Sequence, residues 1–214
     1  MLPQVDKYSA LRDEMVDIQI IARGISDRET LNSLRKVPRH LFVPKEYEDD
    51  AYGDYPLPIG HGQTISQPYI VAYMTETVKP SGKKRALEIG TGSGYQAAVL
   101  AEIVDAVYTI EIIPELAKES AARFESLGYK NIIAKSGDGY NGWPEHAPFD
   151  IIIVTAAAEK IPAPLIDQLA ENGRLVIPVG TSGGIQNLIL LVKKNGKIQR
   201  TPLLPVRFVP FKRL

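Results

Sequence analysis

No cysteine occurs in the 214 residues, which excludes disulfides, thiolate metal sites and a cysteine nucleophile. Long apolar runs are missing as well. None approaches the length of a membrane span, and the opening MLPQVDKYSALRDEM has no apolar core of the signal-peptide kind. The cytoplasm is therefore the expected compartment, with no membrane partner. Histidine is scarce: His40, His61 and His146 lie far apart without metal-ligand spacing, so no metal is expected and each reads as structural. His61 alone falls in a segment where contact with a ligand stays open. Net charge is also absent, since 25 basic and 25 acidic residues cancel, and nothing in that balance points to nucleic acid. The charge is unevenly placed. Glu171 is the last acidic residue, and the basic stretch after it reads either as a solvated edge or as a surface for an acidic substrate.

What is present suffices for a full core, with 44% hydrophobic residues in a length that suits one domain. We expect a single domain over 1–214, with helices and a site loop in 1–80 and a cofactor-binding core in 81–214. Helical periodicity covers 5–23 and 27–36, the second opening at Asp27 as N-cap. Residues 37–63, rich in proline, glycine and tyrosine, read as a long irregular loop of the kind that often carries function. A short helix is expected from about Gln67 to Val78, with Ser66 as its plausible N-cap and Pro68 in its first turn.

From Arg85 the pattern alternates strand and helix. RALEIG, AVYTIEII, NIIAKSG, FDIIIVTA and GRLVIPVG are strand candidates, and helices are expected at 94–104, 115–127 and near 163–170. The continuous apolar runs suit parallel strands covered on both faces, hence a doubly wound α/β sheet. QNLILLVKKNGKIQRTPLL then reads as an antiparallel hairpin turning at Asn195-Gly196. Ligands of such sheets bind at the carboxyl ends of the parallel strands.

The segment Glu88-Ile89-Gly90-Thr91-Gly92-Ser93-Gly94 stands where a strand meets a helix. Its glycines let backbone approach a ligand. The spacing is G-x-G-x-G, and Tyr95 occupies the position where a dinucleotide fingerprint needs glycine. An acid two residues ahead of the loop would repel a pyrophosphate and suits a cationic ligand. Glu111 ends the next strand, where a carboxylate can accept from both ribose hydroxyls. Asp138-Gly139 follows the third strand, in reach of an adenine amine. Three acids at three successive strand ends point to a nucleoside-type ligand.

Two further stretches make the resemblance specific. PIGHGQTISQPYIVAYM at 58–74 resembles the segment ahead of the sheet in protein-L-isoaspartate O-methyltransferases. ALEIGTGSGYQAAVLA and SGDGYNGWPEHAPFDIIIVTAAAEKIPAPLIDQLAENGRLVIPVG resemble the cofactor loop and later core of the same family. The likeness covers roughly 28–214. It implies a Rossmann-like methyltransferase sheet with helices on both faces, a helical extension before it and antiparallel strands after it. It implies S-adenosyl-L-methionine as methyl donor, S-adenosyl-L-homocysteine as product, and isoaspartyl-containing proteins and peptides as substrates, esterified at the free α-carboxylate to begin their repair. Residue by residue, it places Ser66 on the active-site serine. It places Gln63, Thr64, Ile65, Glu88, Ile89, Gly90, Gly92, Gly94, Glu111, Ile112, Asp138 and Gly139 around the donor. Ile59, Ser66, Val206, Arg207 and Phe208 would meet the substrate.

The chemistry agrees with what the chain lacks. A peptide α-carboxylate, with a pKa of about 3.3–3.7, is already ionised at neutral pH, so no general base is needed. Alignment is what the protein must supply. Two roles compete for the Ser66 hydroxyl, helix cap and substrate contact, and the motif favours the second. Other readings stay open: a donor-dependent enzyme acting on RNA or a small molecule, a non-catalytic module that binds the donor, and a nicotinamide dehydrogenase, against which Tyr95 and Glu88 both weigh.

Overall fold

The computed structural model describes residues 7–181 and 183–214. The chain opens with three kinds of helix in succession. α1 (Lys7–Glu14) runs into a π-helical stretch, Met15–Ile20, and a 3-10 turn, Ile21–Arg23, closed by Gly24 at φ 95°. One regular helix is expected over 5–23, and tertiary packing overrides that regularity. Bonding from i to i+5 sets Met15 and Ile20 one turn apart, and both are buried. Residues 5 and 6 lie outside the described residues. α2 (Arg28–Lys36) starts as expected, the Asp27 carboxylate accepting the Thr30 N–H at 2.8 Å.

The segment 37–63 has more structure than a loop. It contains 3-10 turns at Arg39–Phe42 and Lys45–Tyr47, and β1 (Leu57–Pro58), which pairs antiparallel with β2 (Thr64–Ile65). α3 (Pro68–Thr77) follows. Its N-cap is Gln67, not Ser66, and no side chain caps it. Pro68 in the first turn lacks one of the N–H groups a cap would serve, so Ser66 is not needed for capping.

The main sheet has seven strands: β3 (Arg85–Ile89), β4 (Ala106–Glu111), β5 (Ile132–Ser136), β6 (Phe149–Val154), β7 (Leu169–Val179), β8 (Gln186–Lys194) and β9 (Lys197–Val206). Their order is β5-β4-β3-β6-β7-β8-β9, the first five parallel and the last two antiparallel. α4 (Tyr95–Ala101), α5 (Pro114–Ser126) and α6 (Ala163–Asp167) connect the parallel strands. The chain turns back on itself between β3 and β6, and that switch point places the ligand crevice at the tip of β3.

Successive residues of β6 enter opposite cores. Ile151 and Ile153 join a cluster that reaches from Met15 of the first helices to Val206, while Phe149, Ile152 and Val154 pack with Leu165 on the other face. The hairpin turns at Asn195 and Gly196, at φ 51° and 70°. One boundary moves. The helix expected near 163–170 stops at Asp167, because Leu169, 1% exposed, already pairs with Phe149 as a strand residue. Among the described residues no helix is long and apolar enough to cross a membrane.

Candidate active site

β3 delivers Glu88 and Ile89 to the glycine loop. Gly90 and Gly94 both have positive φ, at 94° and 89°. A Cβ at Gly90 would stand 2.4 Å from the Thr155 hydroxyl, and one at Gly94 would stand 2.6 Å from the Phe124 ring. Sign of φ and lack of space both require glycine there. Gly94 therefore seats α5 against the start of α4 and is not among the residues lining the cavities described below. The Thr155 hydroxyl donates to the Gly90 carbonyl at 2.6 Å, joining the tip of β6 to the loop.

The strand order β5-β4-β3 sets the three expected acids side by side. Glu111 Oε2 accepts the Gly92 N–H at 2.7 Å and Oε1 accepts the Ile113 N–H at 3.0 Å. The carboxylate thus clasps the glycine loop, and each oxygen retains a further lone pair, two acceptors for a pair of vicinal hydroxyls.

Asp138 is engaged differently from the expectation. Its Oδ1 accepts the Tyr140 N–H at 2.9 Å, and its Oδ2 pairs with Arg213 Nε at 2.7 Å. Burial opposes its ionisation, but the Arg213 guanidinium and the Tyr140 amide outweigh that and hold the carboxyl below the ordinary range. Arg213 also lies 3.6 Å from the Tyr140 ring centroid. The last residues form a strap: Ala157 N–H donates to the Val209 carbonyl and Phe211 N–H to the Ala157 carbonyl, each at 2.8 Å.

Glu88 departs furthest from a simple anion. It is fully buried, accepts a short hydrogen bond from Thr109, and leaves Oε1 without a partner. Thr109 in turn meets the Thr91 hydroxyl at 2.6 Å. Burial pushes the Glu88 carboxyl up to about 8, with Glu111 adding to the rise and Thr109 opposing it. At neutral pH burial thus favours the protonated acid, so the negative charge that would turn a pyrophosphate away is not a fixed one.

Two cavities meet over these tips. A narrow cleft is floored by Glu88, the glycine loop and Glu111, walled by Gln63–Ser66 and Ile112, and roofed by Pro210 and Lys212. Beside it a groove of about 410 Å³ is lined by Val206, Arg207 and Phe208, opposite Ile70 and Ile185. Thr64, Ser66, Thr155 and Val209 line both. Gly139 and Ile89 border a third, small apolar slot with Ile112 and Phe211. Ile59 is not brought to the groove as expected. It is buried against the glycine loop, where a Cβ on Gly92 would stand 3.3 Å from its Cδ1. His61 is exposed in the turn between β1 and β2, at φ 52°, and lines none of these cavities.

Comparison with known proteins agrees with this geometry. The family model for protein-L-isoaspartate (D-aspartate) O-methyltransferase matches residues 10–213. The chain belongs to that family. A protein-L-isoaspartate O-methyltransferase of Opitutus terrae is 58% identical, over 94% of this chain and 87% of its own. A solved protein-L-isoaspartate O-methyltransferase superposes with a TM-score of 0.83 at 31% identity, over 93% of this chain and 65% of that one. A putative family enzyme of Plasmodium falciparum, solved with S-adenosyl-L-homocysteine, gives a TM-score of 0.80 at 28% identity, over 98% of this chain and all of that one.

Within this isoaspartate methyltransferase frame, some lining residues sit in the matching motifs but had no role assigned from them. Thr155 and Val209 stand at the junction of the cavities, and Tyr95 and Gln96 open α4 beneath the cleft. Thr155 and Val209 are distant in sequence from the glycine loop, and only the register of β3 beside β6 brings Thr155 to Gly90, whereas Tyr95 and Gln96 follow that loop directly. The alternation of strands and turns placed the strand ends, whereas the carboxyl-terminal residues were expected at the site from the family resemblance alone.

Proposed function

We propose that the narrow cleft holds the methyl donor and the groove holds the isoaspartyl chain, so that transfer takes place at the wall they share. The protein is an S-adenosylmethionine-dependent protein-L-isoaspartate O-methyltransferase, and it acts on isoaspartyl-containing proteins. The observation that carries the residue assignment is the sharing of Thr64, Ser66, Thr155 and Val209 by the two cavities.

The residues present fit the donor. Unpartnered Glu88 Oε1 suits an ammonium group, the spare lone pairs of Glu111 suit a ribose diol, and the slot between Ile89, Ile112, Gly139 and Phe211 suits a flat base. When bound, the donor supplies an electrophilic methyl on a sulfonium sulfur, whose carbon–sulfur electron pair returns to sulfur as the carboxylate oxygen gains the methyl. No proton changes hands, so no residue is required as a base. Ser66 donates its hydroxyl to one carboxylate oxygen and fixes the direction of the other. Thr155 holds the glycine loop in place through Gly90. The strap roofing the cleft limits water, which strengthens each polar contact beneath it. Val206, Arg207 and Phe208 present a strand end along which an extended peptide can lie, its backbone hydrogen bonds tolerating many sequence contexts.

The test is methyl transfer from labelled donor to an isoaspartyl peptide and to its aspartyl twin. Base-labile ester on the first alone is expected. Equal labelling of both would defeat the reading of the groove.

A further inference from the structure

Arg39 lies wholly inside the protein and has no acidic partner among the described residues. It is 0% exposed, in the 3-10 turn Arg39–Phe42. Nε donates to the Ala51 carbonyl at 2.7 Å and Nη2 donates to the Ser66 carbonyl at 2.8 Å, while Nη1 has no partner. The guanidinium carbon sits 4.9 Å from the ring centroid of Tyr95, itself 1% exposed and edge-on to Phe42. Burial pulls the guanidinium down to about 10, which leaves it charged at neutral pH.

These contacts span the two halves of the site. Ser66 belongs to the wall between the cavities, and its own segment is weakly anchored. Before it stands a ribbon of two residue pairs, and after it an α3 start without a side-chain cap. Tyr95 is the first residue of α4, next to Gly94, and lines the donor cleft. A planar fork that bonds the Ser66 carbonyl and lies over the Tyr95 ring fixes how far Ser66 stands from the glycine loop. Lysine cannot reproduce this, since a single ammonium offers neither the two-carbonyl fork nor the flat face.

We infer that Arg39 is a positioning residue for the transfer step: acting through the Ser66 carbonyl, it sets the Ser66 hydroxyl against the donor cleft. The inference rests on the reading of Ser66 given above. Misplacement by about 1 Å can cost on the order of a hundredfold in rate.

The test is a double-mutant cycle on the full chain. Arg39→Lys should lower kcat about ten- to hundredfold, with donor affinity and peptide KM within about twofold of wild type. In a Ser66→Ala background the same change should cost less than about twofold, because the group it aims is gone. Arg39→Gln, which keeps a donor but loses the charge, is the second variant and should show the same coupling. Equal losses in both backgrounds would make Arg39 a packing residue and overturn the inference. Loss of a cooperative melt in both variants would do the same. Wild-type ester formation and the effect of Ser66→Ala alone are read first. A failure of the underlying assignment therefore shows before any Arg39 variant is compared.

Discussion

Raising the pH from 5 to 8 should weaken the ligand-free protein through Glu88, and glutamine at that position should remove the effect. An unfolded glutamate ionises near 4.5, whereas burial holds Glu88 protonated up to about 8. Between those values the unfolded chain has lost a proton that the native one keeps. Unfolding then releases one proton, and stability falls by about 1.4 kcal/mol per pH unit from this group. Below 4.5 both states hold the proton and no penalty exists. Above about 8 the penalty is complete, on the order of 4–5 kcal/mol.

Glu88→Gln retains an acceptor for Thr109 and has nothing to ionise. Urea unfolding at pH 5, 6, 7 and 8 measures the comparison. The wild-type free energy minus that of the variant should fall by on the order of 3–4 kcal/mol across the window. Parallel profiles for the two proteins would show that Glu88 does not keep its proton, and the account of the buried carboxyl would be wrong. Saturating donor sharpens the test. A cation beside Oε1 favours the carboxylate, so the complex should lose most of the wild-type slope, and donor binding at pH 7 should release close to one proton.

The remaining predictions concern the walls and roof of the cleft. Glu111→Ala should weaken donor binding by about 1.5–3 kcal/mol, since two backbone N–H groups and the ribose contacts lose a charged acceptor, and titration calorimetry reads this directly. Ser66→Ala should lower kcat while leaving the donor dissociation constant within about twofold. The reverse pattern would mean that Ser66 serves the donor rather than the substrate. Gly94→Ala should cost about 1–3 kcal/mol from collision with Phe124, plus about 1–2 kcal/mol for a side chain at positive φ, seen as a lowered Tm. Arg213→Ala removes a half-exposed ion pair worth about 0–1 kcal/mol, so donor release by stopped flow should quicken by up to about fivefold. Slower release would mean that Arg213 competes with the donor for Asp138 rather than holding the strap.

The sheet was legible because its physics is local in sequence. Runs such as DIIIVT are buried on both faces, Asn195-Gly196 supplies the two positive φ values of a tight hairpin, and Asp27 caps the free amide of Thr30 three residues on. The strand order sets the tips that carry Glu88, Glu111 and Asp138 side by side, but only Glu88 and Glu111 line the cleft. What stayed hidden depends on partners far along the chain. Arg213 reaches Asp138 across 75 positions and Arg39 reaches Ser66 across 27. Nothing in the spacing of either residue announces its partner. The protonation of Glu88 was hidden for another reason: a motif records an acid, whereas its charge depends on how much water the fold removes. The misplaced cap at Ser66 shows local propensity yielding to Pro68, which makes a side-chain cap less necessary.

These hidden contacts share one purpose that the reaction itself explains. A nucleophile ionised at neutral pH needs no proton removed, and the leaving sulfur needs none supplied. The protein is left with geometry and exclusion of water as its means of acceleration. Both are properties of how separate segments are held against one another, not of any single reactive side chain. Hence the polar residues with the most unusual surroundings, Arg39 and Glu88, are buried beneath the site and tie its parts together, while Ser66 stands at the wall with an ordinary hydroxyl. In an enzyme that must abstract a proton, a strongly shifted buried acid would invite reading as the base. Here the shift belongs to a group that, on the proposed placement of the donor, would face a cation, and its expected service is to ionise when that cation binds.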